Sequence, residues 1–212
     1  IENAEEAVYE EKKMEEMEVC FLMDRFGYMK LIDKNAYERN KEAVHNESKY
    51  VFNCMNTDKI CIFTDTGKMH TIKAADIPLV RFRDKGTPVD NLSNYDSAQE
   101  RMLYVAPVGQ IRTDRLLFVT KTSMCKLVEG AEFDVAKRTI ASTKLAEEDE
   151  LIFIGSASEM EQVVLQSHNG CFLRFLTQEI STMKKTALGV RGMKLTDGDY
   201  LDNAYLLAGH QE

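Results

Sequence analysis

The chain contains no tryptophan, so it lacks the Trp-Asp signature of one large class of repeat propellers. No apolar stretch approaches the ~18 to 20 residues needed to span a bilayer. The start, Ile1-Glu2-Asn3-Ala4, has neither the basic end nor the apolar centre of a secretory signal, and a cytoplasmic address is expected. The five cysteines form no Cys-x-x-Cys pair and no Cys/His spacing suited to zinc. Cys20, Cys61, Cys125 and Cys171 lie inside apolar runs and Cys54 just before one, the placement of reduced thiols acting as small hydrophobes.

Catalytic signatures are missing too. There is no Gly-x-Ser-x-Gly elbow, no His-Glu-x-x-His, no phosphate-binding lysine loop and no Gly-x-Gly-x-x-Gly after a strand. The four histidines, His45, His70, His168 and His210, are dispersed. Tyr28, Tyr37 and Tyr95 stand in strand or loop contexts that suit packing or surface roles. No catalytic residue, metal ligand or cofactor site is expected in this chain.

What the chain does have is repetition. Four hairpin-like segments each join an apolar run to a tight turn and a second run bearing a basic residue or His: 19–32, 60–72, 116–128 and 163–175. Gly27, Gly67 and Gly170 occupy the turns, where a hairpin demands positive φ, and Ser123 is the copy that departs. Recurrence at about 40 to 56 residues marks a radial or stacked architecture, because one such unit cannot bury its own apolar face. The units fall at about 19–57, 58–113, 114–160 and 161–207, with three or four strands each, behind a lead segment 1–18 read as an acidic helix or linker.

The net charge of −8 is unevenly placed. Residues 1–18 carry eight acids against Lys12 and Lys13, leaving only −2 over the other 194 residues. Positions 68–144 hold 13 Lys/Arg against 9 Asp/Glu. The last three hairpins each run into a basic connector, 76–86, 134–144 and 179–194, closed by a leucine (Leu92, Leu145, Leu195) and followed by an acidic turn. These turns, at 96–100, 147–150 and 197–199, read as solvated loops.

Residues 170–199, with Met183-Lys-Lys-Thr-Ala-Leu-Gly-Val-Arg-Gly-Met-Lys-Leu-Thr-Asp-Gly-Asp199, resemble a blade of the C-terminal domain of the A subunit of bacterial DNA gyrase and topoisomerase IV. The second unit, with Asp65-Thr-Gly-Lys-Met-His-Thr-Ile-Lys73 and Lys85-Gly-Thr-Pro-Val-Asp-Asn-Leu92, is similar to the next most typical blade, and the likeness covers about residues 19–207. The resemblance implies an all-β fold, a β-pinwheel or propeller-like ring whose blades exchange strands and whose outer edge binds and bends duplex DNA. Complete members have roughly five or six blades, within the propeller range. With four units visible, the chain is a shortened ring or a fragment of a larger one.

By the same resemblance the partners are double-stranded DNA and the remainder of the A subunit together with the ATPase B subunit, with no membrane. The setting is the bacterial cytoplasm at the nucleoid. ATP and Mg belong to the whole topoisomerase, whose catalytic tyrosine and ATPase lie outside this chain. Family gyrases carry a basic, Gly-rich box after the first hairpin, whereas 37–49 here has no glycine, so the topoisomerase IV type is expected, with bending but no tight wrapping.

DNA binding without base reading needs only Lys and Arg spaced along an edge, each neutralised phosphate releasing counterions. The connector residues Arg81, Arg83, Lys85, Lys137, Arg138, Lys184, Lys185 and Arg191 are the first candidates, and the strand residues Lys30, Lys126 and Arg174 the second. Arg174 lies four residues after its turn glycine where Lys30 lies three, so the two are expected on opposite faces unless a bulge intervenes. The alternative is a protein-interaction propeller, with no DNA binding, that uses its acidic turns or apolar rim.

Overall fold

The computed structural model describes residues 13–209. In chain order the elements are β1 (Glu18–Met23), β2 (Tyr28–Ile32), α1 (Lys34–Arg39), α2 (Lys41–Glu47), β3 (Tyr50–Met55), β4 (Lys59–Thr64), β5 (Lys68–Lys73) and β6 (Thr87–Pro88). Then come α3 (Val89–Leu92), β7 (Met102–Pro107), α4 (Val108–Ile111), β8 (Arg115–Thr120), β9 (Met124–Glu129) and β10 (Thr139–Ala141). The last are β11 (Leu151–Ser156), β12 (Gln162–Ser167), β13 (Phe172–Leu176), β14 (Val190–Arg191) and β15 (Leu201–Leu207).

They form four antiparallel sheets, ordered β3-β1-β2-β6, β10-β5-β4-β7, β11-β8-β9-β14 and β13-β12-β15. In the first three sheets, three strands come from one unit and the fourth from the connector of the next. Thus β6 follows β5 in the chain yet pairs with β2, Tyr28 opposite Pro88, and β14 follows β13 yet pairs with β9, Val190 opposite Cys125. The fourth sheet has three strands, and no pairing joins it to the first among the described residues.

Burial explains the strand sequences. Phe21, Met23, Ile60, Ile62, Val89 and Val105 pack between the first and second sheets, with Phe21 stacked on Phe52 at 4.6 Å between ring centres. Phe63, Phe118 and Phe133 meet between the second and third, Phe63 edge-on to Phe133 at 5.1 Å. Leu117, Val119, Val163 and Leu165 join the third to the fourth. The two middle sheets are covered on both faces, so β4 and β8 are apolar at successive positions. In β12, by contrast, Val163 and Leu165 are buried and alternate with half-buried Gln162, Val164 and Gln166, as a strand covered on one face should.

The glycine-free segment compared with the Gly-rich box of family gyrases folds as α1 and α2. Asp33 caps α1 by accepting from the Ala36 amide at 2.7 Å, and Ala36 and Val44 close over Cys20, Leu22 and Ile32 on the face of the first sheet that no other sheet covers. The expected lead helix falls largely on residues 1–12, outside the described residues, while 13–17 form neither helix nor strand.

The four hairpin turns do share one geometry. Gly27, Gly67 and Gly170 have φ of 81°, 76° and 87°, and Ser123 adopts φ 73° at the matching position. Left-handed backbone disfavours a Cβ. Here the serine hydroxyl compensates, its Oγ accepting from the buried Met193 amide at 2.7 Å.

Candidate nucleic-acid interface

Each basic connector begins as the second hairpin strand ends in a short 3-10 turn, Ala74–Asp76, Gly130–Phe133 or Thr177–Glu179. The first and third connectors then run beside the preceding sheet. The Leu31 amide donates to Pro78 O at 3.0 Å and Val80 to Leu31 O at 2.9 Å; likewise Leu127 donates to Ser181 O at 3.2 Å and Met183 to Leu127 O at 2.7 Å. A tight turn follows, with Asp84 donating to Arg81 O and Ala187 to Lys184 O, both at 3.0 Å. Gly86 and Gly189 end these turns at φ 87° and 100°, where an added Cβ would lie 2.5 Å from Met29 O and 2.7 Å from Cys125 O. Only glycine lets the connector approach the sheet this closely.

The middle connector is built differently. It passes from Phe133 to β10 without that turn, and Thr71 donates to Arg138 O at 2.8 Å.

Arg81, Arg83, Lys85, Lys137, Arg138, Lys184 and Arg191 are exposed, and Lys185 is half-buried. Lys185 Nζ donates to Glu132 O at 3.2 Å, Arg138 Nη2 donates to Leu92 O at 3.1 Å, and Lys85 Nζ lies 4.4 Å from the centre of the Tyr28 ring. The fold brings two connectors together: the Lys144 amide donates to Lys185 O at 3.1 Å. Lys137, Lys144 and Lys185, with Thr139, Thr143 and Thr186, line a groove of about 680 Å³. A second groove, about 490 Å³, gathers Lys59, Lys73 and Arg138 beside Asn91. Sequence reasoning passes over Lys73 and Lys144, although each closes a basic stretch visible in the chain.

Two candidates turn inward. Lys126 is 1% exposed, and its Nζ donates to the carbonyls of Lys184 (3.4 Å), Lys185 (3.0 Å) and Ala187 (2.6 Å). Burial pulls its pKa down to about 8, with Glu132 opposing. Lys30, half-buried, donates to Phe82 O and to Asp84 O at 2.6 Å; burial lowers its pKa against Glu47, Asp84 and Asp24. The backbone oxygens of the incoming connector surround the Lys126 ammonium, whereas Lys30 gives two bonds to its connector and stays partly exposed.

Arg174 departs in another way. It pairs with Val164, where Lys126 pairs with Phe118 and Lys30 with Leu22, and no bulge shifts the register. Leu173 therefore holds the position of the two lysines. Arg174 lies exposed on the outer face of the fourth sheet, donating to Gln162 Oε1, apart from the connectors.

The acidic turns are fastened rather than free. Asp149 accepts from the Thr122 amide at 3.1 Å and hydroxyl at 2.6 Å, and Asp199 from the Asn169 amide at 3.1 Å, each tying a turn to a hairpin tip. Among the described residues no three His, Cys, Asp or Glu side chains gather as a metal set.

The family model described as "DNA gyrase C-terminal domain, beta-propeller" matches residues 58–97, 114–158 and 161–207, well over half of the chain. The chain belongs to this family. The match begins at the second unit, after the helical pair that caps the first sheet of this propeller domain. Similar relatives include the DNA gyrase A protein of Lawsonia intracellularis, 25% identical over 92% of this chain and 25% of the relative. That of Klebsiella oxytoca is 29% identical over 86% and 22%. The chain thus spans about a quarter of the length of these relatives.

The solved C-terminal domain of DNA topoisomerase IV superposes with a TM-score of 0.80 at 22% identity, covering 93% of this chain and 63% of that one. The E. coli ParC C-terminal domain gives 0.70 at 14%, over 90% and 80%. The DNA gyrase A C-terminal domain gives 0.56 at 18%, over 90% and 65%. The fold is that of the gyrase and topoisomerase IV C-terminal β-pinwheel. Among the described residues no helix is long and apolar enough to cross a membrane.

Proposed function

We propose that this chain is the DNA-binding C-terminal domain of a type II topoisomerase A subunit, holding and bending duplex DNA while cleavage and ATP hydrolysis take place in other parts of the A subunit or in the ATPase subunit. It works in the bacterial cytoplasm, at the nucleoid. The observation that carries this reading is that every strand-exchanging connector presents exposed Lys or Arg: Arg81, Arg83 and Lys85, Lys137 and Arg138, Lys184 and Arg191. Such contacts neutralise phosphates along a backbone and read no bases. Bending is favoured when the added contacts offset the elastic cost of deforming the duplex.

The helical pair at 34–47 supports a topoisomerase IV type of action. It stands where gyrases of the family carry the glycine-rich basic box, and Glu38, Glu42 and Glu47 sit among its basic residues. No tight wrapping follows from such a segment. The test is binding of random-sequence duplex over a salt series, with end-to-end distance in the bound DNA measured by energy transfer. Steeply salt-dependent binding with shortened ends is expected. Salt-tolerant capture of a protein without DNA affinity would sink the proposal in favour of an interaction propeller.

A further inference from the structure

The residue three places after the hairpin turn is Lys30, His70 and Lys126 in the first three sheets, and in all three it points at the connector that arrives from the next unit. Lys30 takes the carbonyls of Phe82 and Asp84, and Lys126 those of Lys184, Lys185 and Ala187. His70 Nδ1 lies 2.9 Å from Thr139 Oγ1 on β10. The choice of residue follows the shape of the connector. Ile77 to Gly86 and Ile180 to Gly189 are the same length and contain the tight turn whose carbonyls converge. The connector that meets His70 is shorter and has no such turn. In the fourth sheet, where no connector strand is added among the described residues, the position is Leu173.

We infer that Lys30 and Lys126 are positioning residues for DNA binding, internal ammonium staples that hold the connector turns so that Arg81, Arg83, Lys85, Lys184 and Arg191 are presented in one fixed arrangement. The inference rests on the DNA-binding reading above. An ammonium has three donors, of which Lys126 gives all to converging carbonyls and Lys30 gives two. Its charge-assisted bonds are stronger than those of a neutral donor. Without it the turn carbonyls lose their common partner, and the connector keeps its few bonds to the sheet edge and, at Lys185, those to Glu132 and Lys144. Ordering the loop then falls to the DNA, at a cost in affinity.

The test uses the full chain with Lys126→Met and Lys30→Met, which keep length and apolar bulk. Timed trypsin digestion reads each connector through its own basic residues. In K126M, cleavage at Lys184 and Lys185 should accelerate about tenfold with cleavage at Arg81, Arg83 and Lys85 unchanged, as expected for local opening. K30M should show the reverse, and it decides the matter if K126M does not fold. Duplex affinity should fall in both with the salt slope preserved. A slope flattened by about 0.9 would make the lysine a phosphate contact and overturn the inference. Equal acceleration at both connectors, or none, would overturn it as well. Should the parent chain fail to bind duplex, the proposed function falls, while the crossed cleavage pattern still decides whether the staples exist.

Discussion

His70 Nε2 lies 2.9 Å from Glu100 Oε2, both side chains being nearly inaccessible, and the pair joins the second sheet to the acidic turn before β7 and, through Thr139, to the strand donated by the third unit. Glu100 also accepts from Thr64 Oγ1 at 2.8 Å, Thr66 Oγ1 at 2.9 Å and the Asp96 amide at 3.2 Å. One carboxylate thus closes a network that no single repeat contains.

Glu100→Ala should cost about 3 to 5 kcal/mol, since it strips the acceptor from buried His70 and Thr64 and from the partly buried Thr66 and Asp96 bonds at once. Burial alone pushes the Glu100 pKa up, but the bonds from Thr64, Asp96 and Thr66 and the neighbouring His70 outweigh it and hold the value below the ordinary one. The stabilisation is therefore present above the ordinary carboxylate range and lost as pH falls through the lowered folded value. Urea unfolding at several pH values should show the gap between parent and variant narrowing in acid. A gap that widens would disprove this account of the pair.

Ser123 should respond to substitution in a set order. Ser123→Ala leaves the buried Met193 amide without its acceptor, a loss of about 1 to 3 kcal/mol. Ser123→Gly loses the same bond but relieves the left-handed strain, worth about 1 to 2 kcal/mol. Glycine should thus be the milder change in thermal or urea unfolding. The opposite order would mean that the hydroxyl does not hold this turn.

Reversal of Lys184, Lys185 and Arg191 to Glu should weaken duplex binding evenly across sequences, because phosphate contacts carry no base information. The slope of log K against log salt should flatten by about 0.9 for each phosphate no longer neutralised. Reversing Lys12 and Lys13 should do far less. If the connector variant matches the parent at low salt while the leader variant fails, DNA does not follow the connectors.

The thiols should divide into one and four. Cys171 is exposed, whereas Cys20, Cys54, Cys61 and Cys125 are buried. Burial raises Cys20 to about 11 and the other three to about 12. A thiol reagent at pH 8 should titrate one group quickly and four only on unfolding. Because the unfolded chain loses these protons near 9 and the folded chain holds them, stability should decline as pH rises above about 9. Rapid reaction of all five would contradict the packing of the strands.

Sequence alone carried the local grammar of this protein. The four apolar runs, the turn positions and the basic connectors were legible because a hairpin is set by near neighbours: period-two burial and one residue at positive φ. The α1–α2 pair is equally local, with Asp33 as cap and a glycine-free run of helix formers, yet beside the Gly-rich box of the family that stretch stands out only for what it lacks. Strand exchange and the direction of each lysine were decided only in three dimensions. Lys30 meets carbonyls 52 and 54 residues away, and Lys126 meets others 58 to 61 away. On a strand a lysine has one of two faces, and nothing in the local pattern tells whether that face meets solvent or the backbone of the next unit. The same charge that reads as a phosphate contact in the sequence meets, in the fold, the converging backbone oxygens of a connector that crosses over it, because those carbonyls need a donor.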